Sequence, residues 1–441
     1  MKKIFFPLLL ISALLLSACA AGAAEPTAEP TAEPTAAPTT ATEATGEEQA
    51  APAVVSASEE NPCIPFSLMD QKLTSPFPGL PEVTQDEWIL GPVDAPVTFM
   101  EYSEPQCPYC AQLEPILTAF QALYPNDVRV VFRYRPFQES FHDKSILGSQ
   151  AMEAAGMQGK FQEFKNWLFE RQSKNPNNPA HTNLADSEFW VPVAPDQFDE
   201  WLAARVPELG IDPDQFLEDM FSDSVVEKIA AAKASADQLA INGTPTLFVN
   251  GYQWPENSRG VEIFSIYTEL LLNQQNEYQT CPQMVIDTAK SYNATIETTK
   301  GNIQVELFDD SAPYAVNSFV FLANDGFYNN LPFITTAEFA LSGDPSDTGY
   351  GGPGYAFKDE INTEFNFSEP GMLSTFVFSS DVTNINGSAF FINRISLEGV
   401  EGLTIFGRVT EGLDVLDTLT LRDNIFAPVE DTIIKITITE S

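Results

Sequence analysis

At 441 residues the chain exceeds one ordinary domain, and its 44% apolar content is enough to bury cores. Its 62 acidic residues against 22 basic ones give a formal net charge of −40. A field of that sign repels phosphate backbones and anionic headgroups, so nucleic acid is excluded as a natural partner.

In chain order, Lys2 and Lys3 precede the apolar run "IFFPLLLISALLL", which is too short and too near the end for a comfortable membrane span. The run closes in "LSAC", ending at Cys19. This resembles a bacterial lipobox, which implies a signal peptide over residues 1–18 and a diacylglyceryl group on Cys19. The rival reading is an ordinary secretory signal with an incidental cysteine. An acylated N-terminus places the protein outside the cytoplasm, anchored to the bacterial cell membrane. Residues 19–60 are low-complexity, with "AEPTAEPTAEPTAAPT" repeating proline. Proline prevents helix, and too few apolar groups are present to offset ordering entropy. The segment is expected to be a polyproline-II tether reaching on the order of 100 Å at ~3.1 Å per residue.

Residues 61–284 read as an α/β domain. "PVTFMEYS" and "VRVVFRY" are strands, and the segment 140–240 is helical. "TPTLFVNGYQW" is a hairpin turning at Asn250-Gly251, and "GVEIFSIYTELLLNQQ" a closing helix. From residue 285 to 441 the pattern changes. "ATIETTKGNIQVELF" alternates with period two around a turn at 300–302, and short apolar segments separated by Gly- and Asn-rich turns follow. Only "YAVNSFVFLAND" and "LDVLDTLT" read as helices, so this domain is all-β with two helices.

The five cysteines carry the chemistry. Cys63 and Cys281 flank the α/β domain and are expected to bridge, tying its ends together; the rival is a free buried thiol. Cys107 and Cys110 stand in "SEPQCPYCAQLEP". A structural zinc site needs a second close pair, and the only histidines are His142 and His181, so no metal is expected. A redox pair fits better. Cys107 falls at a helix N-terminus, where unpaired N–H groups and the dipole stabilise a thiolate. Cys110, one turn later, can attack a mixed disulfide at Cys107. Strand alternation puts Glu101 on one face with Val97 and Phe99, where a half-buried carboxyl could take the Cys110 proton; the alternative is a solvent-facing or ion-paired Glu. His142 and His181 read as surface or packing residues.

"APVTFMEYSEPQCPYC", "EAAGMQGKFQEFKNWLFERQ" and "INGTPTLFVNG" resemble the DsbA-like thioredoxin-fold family. The resemblance implies a thioredoxin fold with a helical insertion over 140–240. It makes Cys107 the attacking cysteine, Cys110 the resolving one and Pro245 the family's cis-proline, with Thr244 before it in the loop that pairs with the client backbone.

"TTKGNIQVELFDDSAPYAVNSFVFLANDGFYNNLPF", "GDPSDTGYGGPGYAFKDE", "NGSAFFI" and "IFGRVTEGLDVLD" resemble, in order, a cyclophilin-type peptidyl-prolyl isomerase. This implies an eight-stranded closed barrel capped by two helices. The catalytic positions depart from the family. Where it has His-Arg stand Ile334 and Thr335; where it has glutamines stand Ser342 and Ala389; its tryptophan and histidine fall at Gly399 and Leu403. Phe339 and Phe391 keep the walls of a proline pocket. Losing the arginine is expected to cost roughly 3 kcal/mol or more of transition-state stabilisation.

The sequence therefore predicts a lipid-anchored thiol–disulfide oxidoreductase with a degenerate cyclophilin-like domain that binds clients. It uses no cofactor; its partners are client proteins, a redox recycling partner and the membrane. Two alternatives stand beside it: a bifunctional foldase with an active isomerase, and a binding lipoprotein whose CxxC is an inert staple.

Overall fold

The computed structural model describes residues 56–137, 142–172, 187–377, 383–422 and 426–441. The signal segment, Cys19, most of the tether and His181 lie outside them. Among the described residues no helix is long and apolar enough to cross a membrane.

The first domain is built on five strands in the order β2-β4-β3-β5-β6: β2 (Trp88–Leu90), β3 (Val97–Ser103), β4 (Val128–Tyr134), β5 (Thr246–Val249) and β6 (Tyr252–Gln253). Only β3 and β4 run parallel, and the connection between them is helix α2 (Pro108–Leu123). A parallel pair needs such a crossover, which carries the cysteines to the end of the central strand. The Asn250-Gly251 turn falls where the sequence places it, both residues at positive φ, as a two-residue hairpin requires. Val97, Phe99 and Glu101 share the buried face of β3. Phe99 packs on Phe120 of α2 and on Phe264 of the closing helix α8 (Val261–Gln274).

Between β4 and β5 lies the helical insertion: α3 (Ser145–Met157), α4 (Phe161–Glu170), α5 (Phe198–Ala203), α6 (Pro213–Met220) and α7 (Asp223–Gln238). Its apolar core, around Phe164, Phe189, Phe198 and Phe216, is continuous with Cys107, Cys110 and Phe132. Trp88 of β2 ties the insertion to the sheet, stacking on Phe161 at 4.2 Å and donating to the Glu153 carboxylate at 2.6 Å. The three-residue strand β2 escapes the sequence pattern, being too short to show a period.

The second domain is one eight-stranded sheet, in the order β15-β7-β8-β14-β12-β13-β10-β9. In chain order these are β7 (Tyr292–Thr298), β8 (Gly301–Leu307), β9 (Ile334–Thr335), β10 (Phe339–Ser342), β12 (Met372–Thr375), β13 (Phe390–Asn393), β14 (Ile405–Glu411) and β15 (Ile433–Glu440). Helices α9 (Pro313–Asn324) and α10 (Leu413–Thr418) are the two expected. The β7–β8 turn sits one residue earlier than the sequence predicts, at Thr299-Lys300. The expected closed barrel is a curled, open half-barrel. The two-residue strand β9 is too short to form a ladder with β15, and single bonds such as Ile433 N–H to the Leu331 carbonyl cross the gap instead.

The stretch that opens the first domain reaches across to the second. Strand β1 (Cys63–Pro65) pairs antiparallel with β11 (Tyr355–Phe357) of the second domain, with Cys63 opposite Phe357. Cys63 and Cys281 are disulfide-bonded, 218 residues apart, and both pack on the second domain's core. The short helix α1 (Leu68–Lys72) then leads into the first domain. The bridge thus joins both ends of the α/β domain to the neighbouring half-barrel. That placement follows from backbone pairing that sequence spacing does not reveal.

Candidate active site

Cys107 is the N-cap residue of α2, with Pro108 at the first helical position. A cap lies where the first N–H groups of a helix have no intrahelical acceptor, so the sulfur faces the positive end of the dipole. Both Cys107 and Cys110 are free thiols. A hydrogen bond from the Cys110 thiol is the largest influence on Cys107; with help from Thr244 and the Cys110 backbone, it lowers the Cys107 pKa to about 7 against the opposing effect of burial. Cys110 has the opposite fate. It is fully buried, and desolvation together with Cys107, Glu101 and Glu104 pushes its thiol well above the ordinary value. The first sulfur is therefore the nucleophile near neutral pH, and the second keeps its proton until something removes it.

The peptide bond between Thr244 and Pro245 is cis. The Cys107 Sγ donates to the Thr244 carbonyl oxygen at 3.3 Å. Arg259, from the loop before α8, holds the Pro245 carbonyl at 3.0 Å. Cys107 is nonetheless enclosed. Only 3% of it is exposed, because the Thr244–Pro245 loop and the insertion core surround it, whereas neighbouring Tyr109 is 65% exposed.

Glu101 lies on the core face of β3 beneath the cysteines and is fully buried rather than half-buried. Its Oε1 has no hydrogen-bond partner. Burial, reinforced by the nearby Glu114 carboxylate and opposed by Lys165, raises its pKa to about 8. Glu114 follows Cys110 by four residues, on the same face of α2, and pairs with Lys165 of α4 at 2.7 Å. A cavity of about 240 Å³ lined by Glu101, Glu114, Lys165, Phe132 and Gln162 lies against these three groups. A carboxyl that holds its proton to pH 8 beside a thiol of high pKa is suited to exchanging that proton with Cys110.

Sequence reasoning missed three partners. Lys165 and Glu114 carry no motif of their own, though their spacing to apolar neighbours puts both on buried faces. His142 was read as a surface or packing residue; it instead pairs through Nδ1 with the wholly buried Glu104 at 2.5 Å, between the ring edges of Phe137 and Trp190. No local signal links residues 38 apart in sequence. Among the described residues no group of three or more His, Cys, Asp or Glu could hold a metal ion.

In the second domain Ile334 and Thr335 occupy β9, and Thr335 is buried with its Oγ1 unpartnered. Ser342 turns inward to the Pro332 carbonyl at 2.8 Å. Phe339 and Phe391 meet edge to face at 5.6 Å, and Phe376, which the sequence reading did not single out, lies 6.5 Å from each. Ala389, Leu403 and Ile334 join the same apolar cluster. Where the resemblance implies His, Arg and Gln, hydrocarbon and two buried hydroxyl groups stand instead.

These features define a CxxC thioredoxin-fold protein joined to a second, half-barrel domain. The family model for thioredoxin matches residues 83–269. The model for cyclophilin-type peptidyl-prolyl cis-trans isomerase matches residues 293–439. A peptidyl-prolyl cis-trans isomerase of Helicobacter pylori (strain ATCC 700392 / 26695) is 42% identical over 138 residues, 30% of this chain and 83% of that one. The chain belongs to the cyclophilin-type peptidyl-prolyl cis-trans isomerase family through its C-terminal domain, and a thioredoxin-like domain precedes it. Among solved structures, a cyclophilin-type isomerase of Cryptosporidium parvum is 31% identical, covering 34% of this chain and 98% of that one, with a TM-score of 0.31. Oxidised BdbD of Bacillus subtilis is 22% identical, covering 42% and 92%, with a TM-score of 0.34.

Proposed function

We propose that the protein is an extracytoplasmic thiol–disulfide oxidoreductase, anchored through an acylated Cys19, whose cyclophilin-like domain binds clients without isomerising them. The observation that carries the reading is the division of labour between the cysteines: Cys107 with its pKa lowered to about 7, and Cys110 with its thiol pushed up and Glu101 beneath it. In the oxidising direction a client thiolate attacks the Cys107 sulfur and breaks the Cys107–Cys110 bond. The client's second thiolate then attacks the client sulfur of the mixed disulfide; the client S–S bond forms as the bond to Cys107 breaks, Cys107 departs as thiolate, and the couple has gained two electrons and, on protonation, two protons from the client. In the reducing direction the Cys107 thiolate attacks one sulfur of the client disulfide and expels the other; Cys110, its proton passing to Glu101 in its ionised form, then attacks Cys107, so that the Cys107–Cys110 bond forms and the reduced client is released. Thr244 and Pro245 present the client backbone, and a recycling partner restores the couple.

Trapping tests this. Cys110→Ser should accumulate mixed disulfides through Cys107, and their absence together with an inert couple in glutathione buffers would return the CxxC to a staple. Loss of membrane association in Cys19→Ala tests the anchor.

A second reading, a bifunctional foldase, draws on the 42% identity to a peptidyl-prolyl isomerase. Against it stand Ile334, Thr335, Ser342 and Ala389 at the positions of the family's His, Arg and glutamines. A protease-coupled proline-peptide assay on the full chain separates the two; a rate at background supports binding alone.

A further inference from the structure

Glu104 follows β3 directly and is wholly buried, three residues before Cys107. The turn is tight. The Cys107 N–H donates to the Glu104 carbonyl at 3.2 Å, and the Gln106 N–H donates to Glu104 Oε2 at 2.9 Å. The remaining oxygen, Oε1, meets His142 Nδ1 at 2.5 Å. A carboxylate is thus fixed beside both sulfurs and opposes negative charge on each. Burying a carboxylate is costly unless a charge or several donors answer it. Here one backbone N–H and one imidazole do so.

The imidazole is itself held. Its ring lies between Phe137 and Trp190, each centroid at 5.6 Å. The adjoining segment is locked to the same turn, because Lys144 N–H donates to Gln106 Oε1 at 2.6 Å and Gln106 Nε2 donates to Asp143 at 3.2 Å. The charged and titratable groups around the pair are Cys107 and Cys110 on α2, Asp143 and Lys144 beside the histidine, and Arg135 over the Phe137 ring at 4.6 Å. Lys144 is committed to Asp143 at 2.8 Å and to the Trp190 carbonyl at 2.9 Å.

We propose that Glu104 and His142 act as one electrostatic unit on the Cys107 sulfur, as positioning residues that set how strongly the thiolate, and with it the reduced couple, is held. A protonated imidazole offsets part of the Glu104 charge, so the helix N-terminus stabilises the thiolate against a weaker opposing field. Without that proton the carboxylate opposes the thiolate across the turn. The unit tunes the Cys107–Cys110 chemistry proposed above and rests on that reading for its biological role.

The test uses the full chain and needs no client. The ionisation of Cys107 is read from thiolate absorbance of the reduced protein, and the couple's equilibrium from glutathione buffers at pH 7, with circular dichroism confirming the fold. Glu104→Gln should raise the Cys107 ionisation constant roughly tenfold, the scale of one charge several ångströms away at partial burial, and make the couple more oxidising. His142→Asn, which keeps a donor and loses the charge, should shift both readouts the opposite way. The double variant should resemble Glu104→Gln alone, and Glu104→Asp should stay near the parent. Two single variants within twofold of the parent, shifts of the same sign, or an additive double would overturn the proposal. If Glu104→Gln does not fold, His142→Asn carries the same readout. Failure of client trapping with these shifts intact would strike the oxidoreductase reading and spare this one.

Discussion

Lys165 and Glu114 form a 2.7 Å ion pair with both side chains almost wholly buried, and the pair reaches Glu101 from α4 and α2. The helical insertion thereby contributes a charge to the chemistry of the sheet it covers.

Removing the cation should be costly. Lys165→Met leaves Glu114 uncompensated in the interior, a class of change that destabilises by about 3–5 kcal/mol. The Glu101 pKa should rise further. Lys165→Met with Glu114→Gln should recover much of the loss, since replacing both partners removes the orphaned charge. Urea unfolding at pH 7 measures all three variants.

Glu101 should make stability fall with rising pH. Its folded pKa of about 8 exceeds the ordinary value of 4.5, so the unfolded chain releases the proton first. The penalty is absent below pH 4.5, grows between 4.5 and 8, and is complete above 8. Glu101→Gln should flatten that window in a pH series of urea midpoints. It should also slow the release of mixed disulfides by Cys110 without changing how fast Cys107 forms them.

Cys107 should contribute with the opposite sign. Its pKa is lowered to about 7 from 9.0, so in the reduced protein the stabilisation is full above pH 9 and disappears as pH falls through 7. Iodoacetamide modification of the reduced protein should follow a midpoint near pH 7, be confined to Cys107, and be slowed by its enclosure. Peptide mapping by mass spectrometry checks the site; modification of Cys110 at equal rate would contradict the assignment.

The Cys63–Cys281 bridge closes a loop of 218 residues around the first domain. Replacing both cysteines by alanine should cost roughly 4–5 kcal/mol in the chain-entropy picture. Because β1 pairs with β11, the same variant should loosen the first domain's attachment to the half-barrel. Limited proteolysis between residues 56 and 66 should accelerate in step with the fall in the urea midpoint.

Much of the fold was legible because its elements are long and periodic. The strands Val97–Ser103 and Val128–Tyr134, the Asn250-Gly251 hairpin and the closing helix Val261–Gln274 announce themselves through alternation, turn chemistry and apolar spacing. Strand β2 and the pairing of Cys63–Pro65 with Tyr355–Phe357 did not, since each is short and owes its form to a distant partner.

The order of residues alone decided that a cysteine pair opens a helix after a strand, that Glu101 shares a strand face with Val97 and Phe99, and that hydrocarbon and hydroxyl groups replace the second domain's expected polar catalysts. These are local properties, settled by neighbours a few positions apart. Only the tertiary structure decided which charges meet: Lys165 with Glu114, His142 with Glu104, the Thr244 carbonyl with the Cys107 sulfur. Proton affinity inside a protein depends on burial and on charges within a few ångströms, and chain folding sets both across tens or hundreds of residues.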